Sequence, residues 1–382
     1  MKETGQNCKI KKLNICMLGQ KSLFKIGGVE VVASELATRM AKMGHNVTCI
    51  NRSGNQCFGH EEFNIKPREY KNVKIKYAPT INIKGFAAMT SSVFGTLMAA
   101  FGKYDIVHIH AEGPAFMCWL PKIMGKKVIV TIHGLDHQRA KWGKLASWYI
   151  KKGEKNAVKY ADEIIVLSKG VQEYFEKVYD RKTEFIPNGV NEAIKQEADV
   201  IKKKWGLEKE GYILFLGRIV PEKGEKYLIE AFKRVKTDKK LVIAGGSSDT
   251  DEFMKELKKM AHGDDRIIFV GFVQGKTFEE IYSNAYVYCL PSDLEGMPLS
   301  LLEAMSYGNC CVVSNIPECA EVVEDKAVIF EKGNVIDLKN KLQLLCDNND
   351  IVLKYKKEAA EFILEKYGWN DVVERTLQVY KN

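Results

Sequence analysis

The sequence predicts an α/β protein of two domains, each a parallel sheet wrapped by helices. Three observations predict it. Short β-branched or apolar runs alternate with longer amphipathic ones along nearly the whole chain, as parallel strands buried between helices require. Twelve or more such runs exceed one comfortable open sheet, so two domains follow. The charge balance also reverses midway: residues 1–190 carry 30 Lys+Arg against 16 Asp+Glu, and residues 191–382 carry 28 against 33.

In the first half, strands are expected at 13–18, 46–50, 73–77, 105–110, 127–132, 163–167 and 183–186. Helices are expected at 29–43, 86–101, 114–124, 144–160 and 169–179. In the second half, strands at 212–216, 240–244, 267–270, 286–290, 310–313 and 327–330 alternate with helices at 224–235, 251–261, 276–284, 298–307 and 334–347. Pro187 and Gly189 punctuate the chain where the charge reverses, which places a boundary near residue 190. The expected domains are therefore 1–190 and 191–366, with a terminal helix over 367–382 that packs back on the first domain.

The chain has 382 residues, 46% hydrophobic and 28% charged, enough for two sizeable cores. Its ten cysteines include no Cys-x2-Cys pair, which argues against a zinc site. Cys16, Cys49, Cys289, Cys310 and Cys311 lie in apolar runs and read as buried free thiols in a reducing, cytoplasmic compartment. The run Leu13–Leu18 is too short for the core of a signal peptide. Residues 85–102 carry no charge but are rich in small residues, the composition of a packed helix rather than a membrane span. The basic first half fits an anionic membrane surface or acceptor as readily as a solvated lysine-rich surface. It carries no helix-turn-helix or zinc-finger pattern, so no nucleic-acid partner is expected.

Ligands of open α/β sheets bind beyond the carboxyl ends of strands, and the candidate site residues cluster there. Gly27 and Gly28 open the helix after the first strand, where free N–H groups favour a phosphate; Lys25 precedes them. The spacing does not match the Gly-x-Gly-x-x-Gly fingerprint, which disfavours a nicotinamide cofactor. Gly217-Arg218-x4-Lys223-Gly224 follows another strand. An arginine fork and a lysine point charge suit a diphosphate and stabilise it as it departs. Farther on, Glu295 and Glu303 flank Gly296-Met297-Pro298-Leu299. Pro298 fits a first helical turn. Glu303 falls off the stripe of Leu301, Ala304 and Met305 and can face a ribose diol. Glu295 can accept bonds from sugar hydroxyls. The cationic and anionic pairs are expected at opposite ends of an activated sugar.

His133 ends a strand beside Gly134, and His108 and His110 share one face of another; His133 is the strongest candidate and His108 the weakest. Residues 139–159 hold seven basic residues against one acid, with Trp142, Trp148 and Tyr149 interleaved, which reads as a solvated helix or an interfacial one. Asp249-Thr-Asp251 has the form of a short metal motif, but it stands at a helix start where N-cap carboxylates are ordinary. No essential metal or cofactor is expected.

These motifs resemble the retaining glycosyltransferases of family 4. The resemblance covers Gly27-Gly28-Val-Glu30, Thr131-Ile-His-Gly134, Pro187-Asn-Gly-Val190, Gly217 to Gly224 and Pro291 to Gly308. It implies the GT-B fold, two Rossmann-like domains facing across a cleft, with the nucleotide-sugar donor on the second and the acceptor on the first. Arg218 and Lys223 would hold the diphosphate, Glu303 the ribose, and Glu295 with the backbone of Gly296, Met297 and Leu299 the sugar. Gly27, Gly28 and Gly217 would line the donor, and His133 would lie near its sugar. His110, Asp136 and Arg139 would face the acceptor. Asn191 departs from the family's usual aspartate, a change at the interdomain link rather than in the chemistry. The run His133 to Trp142 is similar to bacterial enzymes of capsule and O-antigen assembly, which implies a growing, lipid-linked surface glycan as acceptor; the basic first domain and the apolar 86–101 helix motivate a peripheral location at the inner face of the membrane. A sugar-nucleotide epimerase and a non-catalytic binding partner remain rival readings of the same residues.

Overall fold

The structure, a computed structural model, describes residues 12–24, 27–53, 66–81, 83, 86–138, 143–246 and 251–382. The chain divides into two compact units, Met1–Ile186 with Val373–Asn382, and Pro187–Val372.

The first unit contains β1 (Asn14–Leu18), α1 (Gly28–Lys42), β2 (Asn46–Arg52), β3 (Glu69–Tyr70), β4 (Val73–Ala78), α2 (Phe86–Ala100), β5 (Ile106–His110), α3 (Trp119–Ile123), β6 (Lys127–Ile132), α4 (Lys144–Tyr160), β7 (Glu163–Val166), α5 (Lys169–Tyr179) and β8 (Glu184–Phe185). The strand order is β3-β4-β2-β1-β5-β6-β7-β8. All neighbours are parallel except β3 and β4. Every residue of β5 is buried, because helices cover both faces of a parallel sheet. The uncharged α2 packs through small residues. Ser91, Ser92, Gly95, Thr96, Ala99 and Ala100 are buried, and a Cβ on Gly95 would just touch Ile50, Leu18 and Ala78. Among the described residues no helix is long and apolar enough to cross a membrane.

The second unit runs through α6 (Val200–Trp205), β9 (Tyr212–Leu216), α7 (Glu225–Phe232), β10 (Lys240–Ala244), α8 (Asp251–Ala261), β11 (Ile267–Gly271), α9 (Lys276–Ser283), β12 (Val287–Leu290), α10 (Leu299–Ser306), β13 (Cys310–Ser314), α11 (Pro317–Val323), β14 (Val328–Phe330), α12 (Val335–Asp347) and α13 (Asn349–Lys366). Its order, β11-β10-β9-β12-β13-β14, is that of a doubly wound sheet. Each unit therefore has one switch point where the order reverses, β1/β5 in the first and β9/β12 in the second, and loops leaving these strands at their carboxyl ends flank a crevice.

α14 (Trp369–Lys381) starts in the second unit, and from Val373 onward it belongs to the first. The divisions thus fall at Ile186 and Val373 rather than at 190 and 367. The reason is local. Val190 N–H donates to Tyr367 O at 2.7 Å, and Val190 bridges Gly368. Residues 187–190 stay with the second unit through that bridge.

Other departures are short elements. β3, α6 and α11 have two, six and seven residues, too few to show a period. The helix expected over 114–124 splits into a 3-10 turn, Pro114–Met117, and α3. Pro121 has no N–H to continue an α-helical ladder back to Met117. Pro298 stands at the N-cap of α10 in an extended conformation rather than inside its first turn.

Candidate active site

In the second unit, the loop after β9 is drawn against its neighbours by two glycines. A Cβ on Gly245 would lie 1.8 Å from Gly217 O, and one on Gly224, at φ +74°, would lie 2.0 Å from Pro291 O. Only glycine allows those approaches. Gly217 N–H donates to Ala244 O at 3.0 Å, and Ile219 N–H to Gly246 O at 3.1 Å. The loop ends in a 3-10 turn, Pro221–Lys223, capped by left-handed Gly224. Arg218 is solvent-exposed, whereas Lys223 is buried.

Lys223 Nζ meets Glu295 Oε1 at 2.5 Å. The same oxygen accepts from Ser292 Oγ at 2.6 Å, and Ser314 Oγ donates to Ser292 O at 2.5 Å. Asp293 N–H donates to Glu222 O at 2.9 Å, and Tyr227 donates to the Asp293 carboxylate at 2.9 Å. The loops after β9 and β12 are thus laced together at the switch point. Lys223 and Glu295, expected at opposite ends of a sugar, are in contact because opposite charges shielded from water pair.

Leu301, Ala304 and Met305 of α10 are fully buried, which leaves Glu303 on the side of the helix next to its core stripe. Tyr282 OH lies 3.4 Å from Glu303 Oε2 and 3.1 Å from Ser300 O, and Tyr288 OH is 2.9 Å from Ser300 Oγ. Burial raises the Glu303 carboxyl to about 7. Met297 is held by Asn188, whose side-chain amide donates to Met297 O at 3.2 Å and whose N–H meets Met297 Sδ at 2.9 Å. Gly296 is buried and Leu299 half-buried. Sequence reasoning missed Ser292, Tyr227, Tyr282 and Tyr288. Nothing in the spacing of the tyrosines separates a supporting hydroxyl from a packing ring.

In the first unit, His110 Nδ1 is 3.1 Å from His133 Nε2, and His108 stacks on His110 with ring centroids 4.3 Å apart. Burial lowers His110 to about 4 and holds His108 well below its ordinary range, so both rings stay neutral. His108 Nδ1 lies 2.6 Å from Tyr380 OH and its Nε2 2.7 Å from Thr131 Oγ1. That histidine ties α14 to the sheet.

Asp136 sits in a 3-10 turn, and its N–H donates to Glu112 Oε2 at 3.1 Å. Gly27 is the N-cap of α1, and a Cβ there would lie 2.4 Å from the Glu30 carboxylate, which also accepts from Lys21 N–H at 3.0 Å. The helix end read as a phosphate site therefore already carries an acid of its own. Lys25, Arg139, Trp142 and Asp249 lie outside the described residues.

Two family models match, Glycosyltransferase Family 4 over residues 26–193 and Glycosyl transferases group 1 over residues 197–362. An uncharacterised glycosyltransferase of Methanocaldococcus jannaschii is 25% identical, over 93% of this chain and 94% of its own length. An uncharacterised 41.2 kDa protein in the cps region of Klebsiella pneumoniae is 27% identical, over 79% and 85%. Among solved structures, Anabaena Alr3699/HepE in complex with UDP and glucose shares the fold with a TM-score of 0.80, 14% identity, and coverage of 97% of this chain and 99% of that one. The two doubly wound sheets are those of the GT-B fold, and the chain belongs to the group 1, family 4 glycosyltransferases.

Proposed function

We propose that this protein transfers a sugar from a nucleoside-diphosphate sugar to a growing, lipid-linked surface glycan, with retention at the anomeric carbon and without a metal at the diphosphate. The observation that carries the reading is the shielded Lys223–Glu295 pair at the β9/β12 switch point, with exposed Arg218 on the same loop. A donor diphosphate would exchange for Glu295 as the partner of Lys223 and engage the Arg218 fork. Glu295 is then free to accept from sugar hydroxyls, and Glu303 from the ribose diol. The bond from the anomeric carbon to the phosphate oxygen breaks as the bond to the acceptor oxygen forms on the same face. The acceptor's proton passes to the departing phosphate. Arg218 and Lys223 stabilise the charge that grows there, so positioning and electrostatics carry the rate. The relative in a cps region and the UDP-bound structural neighbour support the acceptor class and the donor class.

The helix α4 supports the membrane part. Leu145 and Trp148 are 78% and 59% exposed, and Lys152, Lys155 and Lys159 continue the same face at helical spacing, all exposed. Tyr149 turns inward and stacks on Phe116 at 4.6 Å. Two apolar anchors in line with three lysines suit an anionic lipid surface.

The test combines a panel of nucleotide sugars with a lipid-linked glycan extract, reading nucleotide release and the product's anomeric configuration by NMR. Acceptor-dependent release with retained configuration is expected. Inversion would refute the mechanism, donor conversion without acceptor would mark an epimerase, and no turnover with any donor would favour a binding partner.

A further inference from the structure

We propose that Glu112, His137 and Glu154 form a site for a divalent transition-metal cation, zinc or manganese, that braces the first unit. One nitrogen of His137 and one oxygen from each carboxylate lie within 4.8 Å of one another. His137 Nδ1 is 3.1 Å from Glu154 Oε2 and 3.9 Å from Glu112 Oε1. Ligands bound at about 2.1 Å in a tetrahedron stand roughly 3.4 Å apart, so the two spacings from His137 bracket what a bound ion needs. One imidazole with two carboxylates suits zinc or manganese rather than a soft-metal site.

The second observation is an orphaned atom. Glu154 is fully buried, yet its Oε2 has no hydrogen-bond partner, and neither has His137 Nδ1 although the two face each other. Their 3.1 Å contact lacks hydrogen-bond alignment. An unsatisfied buried carboxylate oxygen is costly, and a cation between the two atoms satisfies both. The other Glu154 oxygen is already engaged. It accepts from Lys151 at 2.8 Å, Tyr174 at 2.9 Å and Tyr179 at 2.5 Å, which is how outer partners aim a metal-binding carboxylate. The backbone brings the ligands together by design of sequence. A Cβ on Gly153 would lie 2.0 Å from Glu112 O, so the glycine beside Glu154 lets α4 press against the loop after β5.

The ion would pin three elements: the β5 loop through Glu112, the 3-10 turn Asp136–Gln138 through His137, and α4 through Glu154. That turn follows His133, so the brace would also steady the segment assigned above to the acceptor. Metal binding itself does not depend on that assignment.

The full chain is stripped with a chelator, reloaded separately with zinc and with manganese, desalted, and assayed for bound metal by mass spectrometry and for melting temperature. A stoichiometric ion and a melting point raised by several degrees are expected with one of the two metals. His137→Ala should lower the affinity at least about tenfold and remove the thermal shift. Glu154→Gln should do the same but also disturbs Lys151 and two tyrosines, so the partly exposed His137 decides. The proposal is overturned if neither metal is retained, if the chain melts at the same temperature with and without it, or if His137→Ala binds as much metal as the wild type. A failed glycosyl transfer assay would leave both readouts intact.

Discussion

Lys223 Nζ stands 2.5 Å from Glu295 Oε1, with the two side chains only 10% and 8% exposed. Removing one partner of a shielded ion pair leaves an uncompensated charge, which costs about 3 kcal/mol or more. Glu295→Ala should therefore melt several degrees below the wild type. A nucleoside diphosphate bound beside Lys223 would supply it with a new anion, so it should raise the melting point of Glu295→Ala more than that of the wild type. Scanning fluorimetry with and without nucleotide checks both.

Glu303 should give donor binding a pH dependence. Burial places its carboxyl at about 7, and only the ionised form is a pure acceptor for a ribose diol. Affinity for the donor nucleotide should tighten about tenfold as pH rises from about 6 to about 8. In Glu303→Gln the affinity should be weaker and lose that component of its pH profile. Calorimetric titrations across the window measure it, and a profile unchanged by the substitution would remove Glu303 from the nucleotide site.

Glu225 links pH to stability. It is fully buried and accepts from Val220 N–H at 3.2 Å, and burial pushes its carboxyl up to about 8 from an ordinary 4.5. The raised value means that the folded state holds a proton the unfolded chain releases. The associated stability is complete below about 4.5 and is lost as pH rises toward about 8, by at most about 1.4 kcal/mol per pH unit. Glu225→Gln should flatten that decline, as read by urea unfolding at a series of pH values.

Gly224 is a backbone requirement. With φ at +74° and a Cβ position 2.0 Å from Pro291 O, Gly224→Ala should cost about 2 kcal/mol or more. It should also separate the loops after β9 and β12, weakening nucleotide binding beyond the loss of stability. Denaturant midpoints and calorimetry distinguish the two effects.

Much of this was legible in the sequence. Alternating apolar runs marked the long strands and helices, because a strand buried on both faces has little choice of residue. α4 and α5 begin and end where the pattern placed them. Short pieces such as β3 and α6 gave no period to read. Of the candidate site, the positions were legible: Arg218 and Lys223 follow β9, and Glu295 and Glu303 follow β12. The Lys223–Glu295 contact was not, because an ion pair depends on how two loops lie, and that rests on Gly224 and Gly245. The exposure of Trp148 was equally hidden. Its neighbour Tyr149 obscured the face that the fold turns to solvent.

That face makes its own prediction. Replacing Leu145 and Trp148 with glutamate should release the protein from vesicles containing anionic lipid while leaving nucleotide affinity unchanged. Flotation of wild type and variant with the same vesicles tests it, and equal binding would dismiss α4 as the lipid-facing helix.

In the proposed reaction the second unit would hold a nucleoside diphosphate through Arg218 and Lys223. Calorimetric titration of UDP, GDP, ADP, CMP and dTDP into the wild type and into Arg218→Ala/Lys223→Ala measures this. One diphosphate should bind the wild type, and the double variant, with an unchanged circular dichroism spectrum, should lose about a hundredfold in affinity. A wild type that binds none of them, or a double variant that binds as tightly, would contradict it.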